Sequence, residues 1–131
     1  MKTAKKILLD TNFLLLPGQF KVDIFEGILQ FIDFSAEFIV LDRIIDELKD
    51  IKSSKKSNLN GKMSASIALQ LLEKKKVKVL KTSGNQNVDD LILEFGKICI
   101  IATQDKVLAR RIRASGAQVI SMRQKSHFVL K

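Results

Sequence analysis

Three stretches of the chain are apolar without alternation: Ile7-Leu8-Leu9, Phe38-Ile39-Val40-Leu41 and Ile98-Cys99-Ile100-Ile101-Ala102. Short continuous runs of this kind predict strands covered on both faces, as in the middle of a parallel sheet. Val77-Lys78-Val79-Leu80 alternates and predicts an edge strand, and Ala117 to Met122 predicts a fifth strand after Gly116. Between the strands the apolar spacing changes to three and four. Val22, Phe25, Leu29 and Ile32 form one such set; Ile44, Ile45, Leu48 and Ile51 a second; Met63, Ile67, Leu71 and Leu72 a third. Leu91, Ile92, Leu93 and Phe95 make a fourth, and Val107, Leu108 and Ile112 a fifth. Each set predicts a crossover helix with these residues on its buried face. Pro17-Gly18 is expected to interrupt regular structure, Lys49 to Lys62 to be a polar connection, and Thr82 to Asn87 a loop. Arg123 to Lys131 carry no assignment, although Phe128-Val129-Leu130 suggest that they pack down.

Regular alternation of strand and helix predicts a three-layer α/β/α domain over residues 1–131 with a central five-stranded parallel sheet. Right-handed crossovers bring every carboxyl end to one edge, the edge at which open α/β sheets bind ligands. Asp10 directly follows one strand, and Asp105 closes the Thr103-Gln104-Asp105 segment in which another ends. Glu47 falls about one turn into one helix and Asp89 in the first turn of another, both leaving from the same edge, with Asp90 beside Asp89. Taken singly, each acid has an ordinary explanation. An Asp after a strand forms turns or caps helices, as Asp42 is expected to do, and acids in a first turn complement the helix dipole, with Asn87 as the cap before Asp89. Their joint placement is what calls for a chemical reading.

Composition narrows that reading. The chain has 131 residues, one cysteine and one histidine, so internal disulfides, a Cys/His zinc site and cysteine catalysis are all disfavoured. Cys99 lies within an apolar run and reads as a buried structural thiol. Too few apolar residues precede Asp10 for a signal-peptide core or a membrane span, which points to a cytoplasmic protein. The net charge of +9 favours a polyanionic partner such as nucleic acid, the plainer alternatives being solubility or a lysine-rich proteome.

Carboxylates gathered in one crevice raise one another's pKa unless a cation neutralises them, and an all-oxygen donor set favours Mg²⁺ or Mn²⁺. The segments Leu9-Asp10-Thr11-Asn12, Asp46-Glu47-Leu48, Asp89-Asp90-Leu91-Ile92 and Ala102-Thr103-Gln104-Asp105, in that order, resemble the four acidic motifs of PIN-domain ribonucleases. Thr103-Gln104-Asp105 followed by Lys106-Val107-Leu108-Ala109-Arg110-Arg111-Ile112-Arg113 is similar to the branch that holds archaeal stand-alone PIN proteins and ribosomal RNA maturation nucleases. Toxin nucleases of toxin–antitoxin pairs share the motifs. The resemblance implies metal-dependent hydrolysis of RNA phosphodiester bonds, with Asp10, Glu47, Asp89 and Asp105 as catalytic metal ligands. Asp90 is the alternative to Asp89, and Asn12 and Thr103 would order the crevice by hydrogen bonds. Lys52, Lys55, Lys56, Lys106, Arg110 and Arg111 are the candidate RNA-binding cations, the segment holding the first three being either a solvated loop or a strand-gripping arm. A homodimer, an antitoxin protein or a ribosomal-precursor complex is the implied partner, and no membrane is involved. Two rival readings compete with this one. A phosphoacceptor receiver domain requires an Asp after the third strand, where this chain reads Leu80-Lys81-Thr82-Ser83. A non-catalytic PIN fold that binds RNA or protein is the other.

Overall fold

The structure, a computed structural model, describes residues 4–124 and 127–131. In chain order its elements are β1 (Lys5–Leu9), α1 (Thr11–Leu14), α2 (Leu16–Phe20), α3 (Ile24–Phe31), β2 (Ala36–Leu41), α4 (Asp42–Ser53), α5 (Leu59–Lys74), β3 (Lys78–Leu80), α6 (Val88–Phe95), β4 (Ile100–Ala102), α7 (Lys106–Ala114), β5 (Val119–Arg123) and β6 (His127–Leu130). The sheet order is β3-β2-β1-β4-β5-β6. Neighbours are parallel throughout except at the last pair, where β6 runs antiparallel to β5. The expected five-stranded, all-parallel sheet is therefore corrected to six strands in a mixed sheet. The sixth forms because the chain reverses after Arg123 and lays Phe128 opposite Met122, where burial and ladder hydrogen bonds reward an extended conformation.

The strands behave as their composition dictates. Ile7, Leu8 and Leu9 of β1 and Ile39, Val40 and Leu41 of β2 are fully buried, each contributing about 1.5–3 kcal/mol of hydrophobic stabilisation. The chain moves outward from β1 through β2 to β3, then crosses back to β4 on the other side of β1. Under the right-handed crossover rule these two directions cover opposite faces of the sheet. Packing agrees, since α4 and α2 rest on α5, whereas α6 rests on α7. The reversal of strand order falls between β1 and β4.

Four local expectations are corrected. Lys49 to Lys62 is mostly helical: α4 runs on to Ser53 and α5 begins at Leu59, leaving a short turn between. Pro17 does not break the chain but sits in the first turn of α2, where its missing N–H has no intrahelical partner to lose. Gly18 beside it permits close packing, because a Cβ there would lie 2.5 Å from the Ser64 Cα. Leu29, Met63 and Val107, expected to be buried, are 47%, 53% and 65% exposed. Finally, the third apolar run yields a strand only from Ile100; Ile98 is 71% exposed at the opposite edge of the sheet. Cys99 is buried, and burial pushes its thiol pKa up, as a structural role requires.

Candidate active site

The reversal of strand order opens the crevice between the carboxyl ends of β1 and β4, where Leu9 pairs with Ala102. The next backbone link is Asp10 N–H donating to the Ala102 carbonyl at 2.9 Å, so Asp10 and Thr103 emerge side by side. Both are buried, Asp10 at 6% and Thr103 at 0% exposure. Asp10 caps α1: its Oδ1 accepts from the Thr11 N–H at 2.8 Å. Its Oδ2 accepts from the Thr103 hydroxyl at 2.7 Å. That hydroxyl also lies 3.2 Å from Asn12 Oδ1 but has one hydrogen, so the shorter contact takes it. Asn12 Oδ1 is held instead by the Gln104 N–H at 2.8 Å. The two strand ends are thus cross-tied through the Asp10 and Asn12 side chains on one and the Thr103 hydroxyl and Gln104 N–H on the other.

Burial raises the Asp10 pKa, and the charges of Asp89 and Glu47 raise it further; the Thr103 and Thr11 hydrogen bonds oppose the shift without cancelling it. Asp89 and Glu47 therefore both act electrostatically on Asp10. Glu47 reaches back from the second turn of α4, its Oε2 accepting from the Thr11 hydroxyl at 2.7 Å. Asp46 beside it is exposed. Asp89 stands in the first turn of α6, whose cap Asn87 accepts from the Asp89 N–H at 2.8 Å. The neighbouring Asp90 is directed elsewhere, forming an exposed ion pair with Arg111 at 2.8 Å. Asp105 is engaged as the N-cap of α7, its Oδ1 accepting from Val107 and Leu108, and its own N–H donates to the Thr103 hydroxyl at 3.1 Å. Thr103 consequently joins Asp10 to Asp105.

Among the described residues, no three acidic, histidine or cysteine side chains stand close enough to form a ready-made metal cage. Magnesium does not require one, since it is held through one or two carboxylates and keeps several waters. A buried carboxylate whose pKa is lifted by burial and by two further acids is a group that a hard cation would stabilise, and every donor is oxygen. The residues fit Mg²⁺ or Mn²⁺.

Of the predicted cations, Lys106 and Arg110 line a cavity beside Asp105, Arg111 is paired with Asp90, and Lys52, Lys55 and Lys56 are exposed at the end of α4 and in the turn after it. Sequence reasoning passes over three contributors. Thr11 fixes Glu47; Gln104 clasps β5 by donating to the Met122 carbonyl at 3.0 Å and accepting from the Met122 N–H at 2.6 Å; and Asp42, expected to cap α4, is instead its first residue and ties it to the loop after β3. The Asp-Thr-Asn order carries a signal for the first. The other two depend on contacts across the fold that no local pattern announces.

Residues 7–125 match the family described as a PIN-like domain. The chain is 30% identical over 126 residues to ribonuclease VapC4 of Methanocaldococcus jannaschii, covering 94% of each sequence. Its fold is similar to that of the PIN domain endonuclease Utp24, with a TM-score of 0.77 and 24% identity over 96% of this chain and 90% of that one. A domain of a functionally unknown protein from M. jannaschii is also similar, with a TM-score of 0.61 and 18% identity over 92% of each chain. No described helix is long and apolar enough to cross a membrane.

Proposed function

Because the chain belongs to the PIN-like domain family, we propose that it is a metal-dependent endoribonuclease that hydrolyses RNA phosphodiester bonds. The observation that carries this reading is the state of Asp10: a buried carboxylate at the strand-order reversal, with its pKa raised by desolvation and by Asp89 and Glu47. The 30% identity to a protein named a ribonuclease supports RNA as the substrate, and the net charge of +9 suits a polyanion.

In this mechanism Asp10 and Asp89 would hold Mg²⁺ or Mn²⁺, with Glu47 and Asp105 completing or flanking the set; Asp90 is the weaker candidate because Arg111 engages it. The bound cation would supply a Lewis acid and an acidified water. The chain's own residues do the positioning. Thr103 donates to Asp10 and receives the Asp105 N–H, so a single buried hydroxyl sets two carboxylates. Thr11 donates to Glu47 and holds it over the crevice, where it can take a proton from the attacking water. Asn12 braces the segment after β4 through Gln104, which keeps Thr103 at its station.

The test is cleavage of a labelled, structured RNA by the purified protein in Mg²⁺, Mn²⁺ or EDTA, with Asp10→Asn alongside. Metal-dependent cutting that the substitution abolishes is the expected result. The alternative is a PIN fold that binds RNA or protein without cutting. RNA binding with no cutting in any metal would establish it. Two roles suit the nuclease: a toxin restrained by a protein antitoxin, or a maturation enzyme acting on ribosomal precursor RNA, in either case as a homodimer. Co-purification with the product of an adjacent gene supports the first, and unprocessed precursor in a deletion strain the second.

A further inference from the structure

Beside the acids, between α7 and the end of β5, lies a cavity of about 260 Å³. Its floor includes Ala109 and Met122, both buried, and Ser121, half-buried. Lys106, Arg110, Arg113 and Arg123 surround it, all four exposed at its margin. Asp105 is the one acid among its lining residues, and that carboxylate already accepts two backbone N–H groups as the cap of α7. Arg110 and Arg113 lie three residues apart, so they share a face of α7. Among the described residues neither they nor Arg123 forms an ion pair, unlike Arg111 one position away.

The position is set rigidly. Gln104 is hydrogen-bonded in both directions to the Met122 backbone, which fixes the end of β5, and with it Arg123, against the segment that follows β4. Thr103 lines the cavity and also donates to Asp10. The basic cavity and the acidic crevice therefore share a wall. Four cations around one cavity repel one another, and an anion entering it relieves that repulsion. Arginine suits a phosphate in particular, since its planar fork makes two parallel hydrogen bonds to the oxygens.

We propose that this cavity is a phosphate subsite for the RNA strand, holding a phosphate next to the one presented to Asp10, with Arg113 and Arg123 as its principal contacts. The proposal rests on the nuclease reading for its substrate and deepens it: the strand would run from the crevice past Asp105 and into the groove between α7 and β5. Arg113 closes the basic run after Asp105, but nothing in the sequence joins it to Arg123, which lies on a strand 10 residues later.

The test measures binding apart from cutting. Fluorescence anisotropy in EDTA, at several salt concentrations, would compare the intact chain with Arg113→Ala/Arg123→Ala and with Lys74→Ala/Lys75→Ala. The last variant removes equal charge from the end of α5, at the opposite edge of the sheet. Two short single-stranded RNAs, one with a 5′-hydroxyl and one with a 5′-phosphate, separate an internal phosphodiester from a terminal phosphate. The arginine variant is expected to bind about tenfold more weakly, with a salt slope smaller by roughly 0.7 for each phosphate no longer neutralised, and the lysine variant to change about threefold or less. Weakening on both RNAs assigns the cavity to an internal phosphate, and weakening on the 5′-phosphorylated RNA alone to a terminal one. Arg113→Lys/Arg123→Lys, which keeps the charge but not the fork, should recover part of the affinity. Unchanged affinity and slope in the arginine variant, or a weakening no greater than in the lysine variant, would overturn the proposal. The same weakening in a protein that never cuts would retain the subsite and remove the nuclease.

Discussion

Asp10 and Asp42 occupy matching places in the fold. Each directly follows a strand of the parallel sheet, at the carboxyl edge, and each leads into a helix. Their chemical states are opposite. Asp10 is buried and its pKa is raised; Asp42 lies near the surface and its pKa is lowered, first by the hydrogen bond from the Thr82 hydroxyl at 2.7 Å and then by the Thr82 N–H. The Thr82 tie joins the start of α4 to the loop after β3, and Arg43 next to it donates to the Gln86 and Gly84 carbonyls, pinning that loop. Asp42 is therefore settled by its surroundings, whereas Asp10 is held in a state that its surroundings oppose. The same residue at the same edge becomes a brace in one place and a candidate reactive group in the other, according to whether hydrogen bonds outweigh desolvation.

The largest expected difference is catalytic. Asp10→Asn should reduce RNA cleavage on the order of a thousandfold or more, and Asp42→Asn about threefold or less, measured as initial rates on the same RNA with protein in excess. Equal reductions would erase the contrast. Thr103→Val sharpens it from the side of the positioning hydroxyl. Removing the donor takes away a hydrogen bond that holds the Asp10 pKa down, so the acid limb of the pH–rate profile should move to higher pH, with cleavage lowered about tenfold.

Stability should move in the reverse order. At neutral pH, Asp42→Ala is expected to destabilise the fold by about 1–2 kcal/mol in urea titrations, because Thr82 loses its acceptor and α4 loses an acid from its first turn. In metal-free buffer Asp10→Asn should leave the fold as stable as the wild type or more so. The substituted amide keeps an oxygen for Thr11 and offers N–H to Thr103, whose hydroxyl can turn to Asn12.

The two acids should also separate by pH, with opposite signs. The Asp42 pKa is below the ordinary value of 3.8, so its stabilisation is present above 3.8 and is lost as pH falls through the depressed value. The Asp10 pKa is above 3.8, so the native state holds the proton more tightly. Its unfavourable contribution is absent below 3.8 and develops as pH rises through the raised value. Thermal melts from acid to neutral pH should show Asp42→Asn converging on wild type at the acid end, and Asp10→Asn gaining on wild type toward the neutral end.

This contrast is only half legible in the sequence. The buried strands declare themselves through Ile7 to Leu9 and Phe38 to Leu41, because a run without polar alternation has few other uses in a short segment. The acids then fall at one edge by topology. What local pattern cannot separate is Asp10 from Asp42, since the distinction lies in Thr103 and Thr82, 93 and 40 residues away respectively. The start of α5 is hidden for a related reason: its buried face consists of Ser64, Ala65 and Ala68, small residues that let α2 approach at Gly18 but leave no apolar stripe. Val107 misleads in the other direction, being apolar yet on the outer face of α7. The choice between Asp89 and Asp90 becomes tractable only with Arg111 in place beside Asp90.

The most direct measurement of the central claim is a calorimetric titration of Mn²⁺ into the wild type, Asp10→Asn and Asp42→Asn, each free of other divalent ions. The account predicts a saturable binding event in the wild type and in Asp42→Asn that is absent from Asp10→Asn. Binding to Asp10→Asn as tight as to the wild type would contradict it.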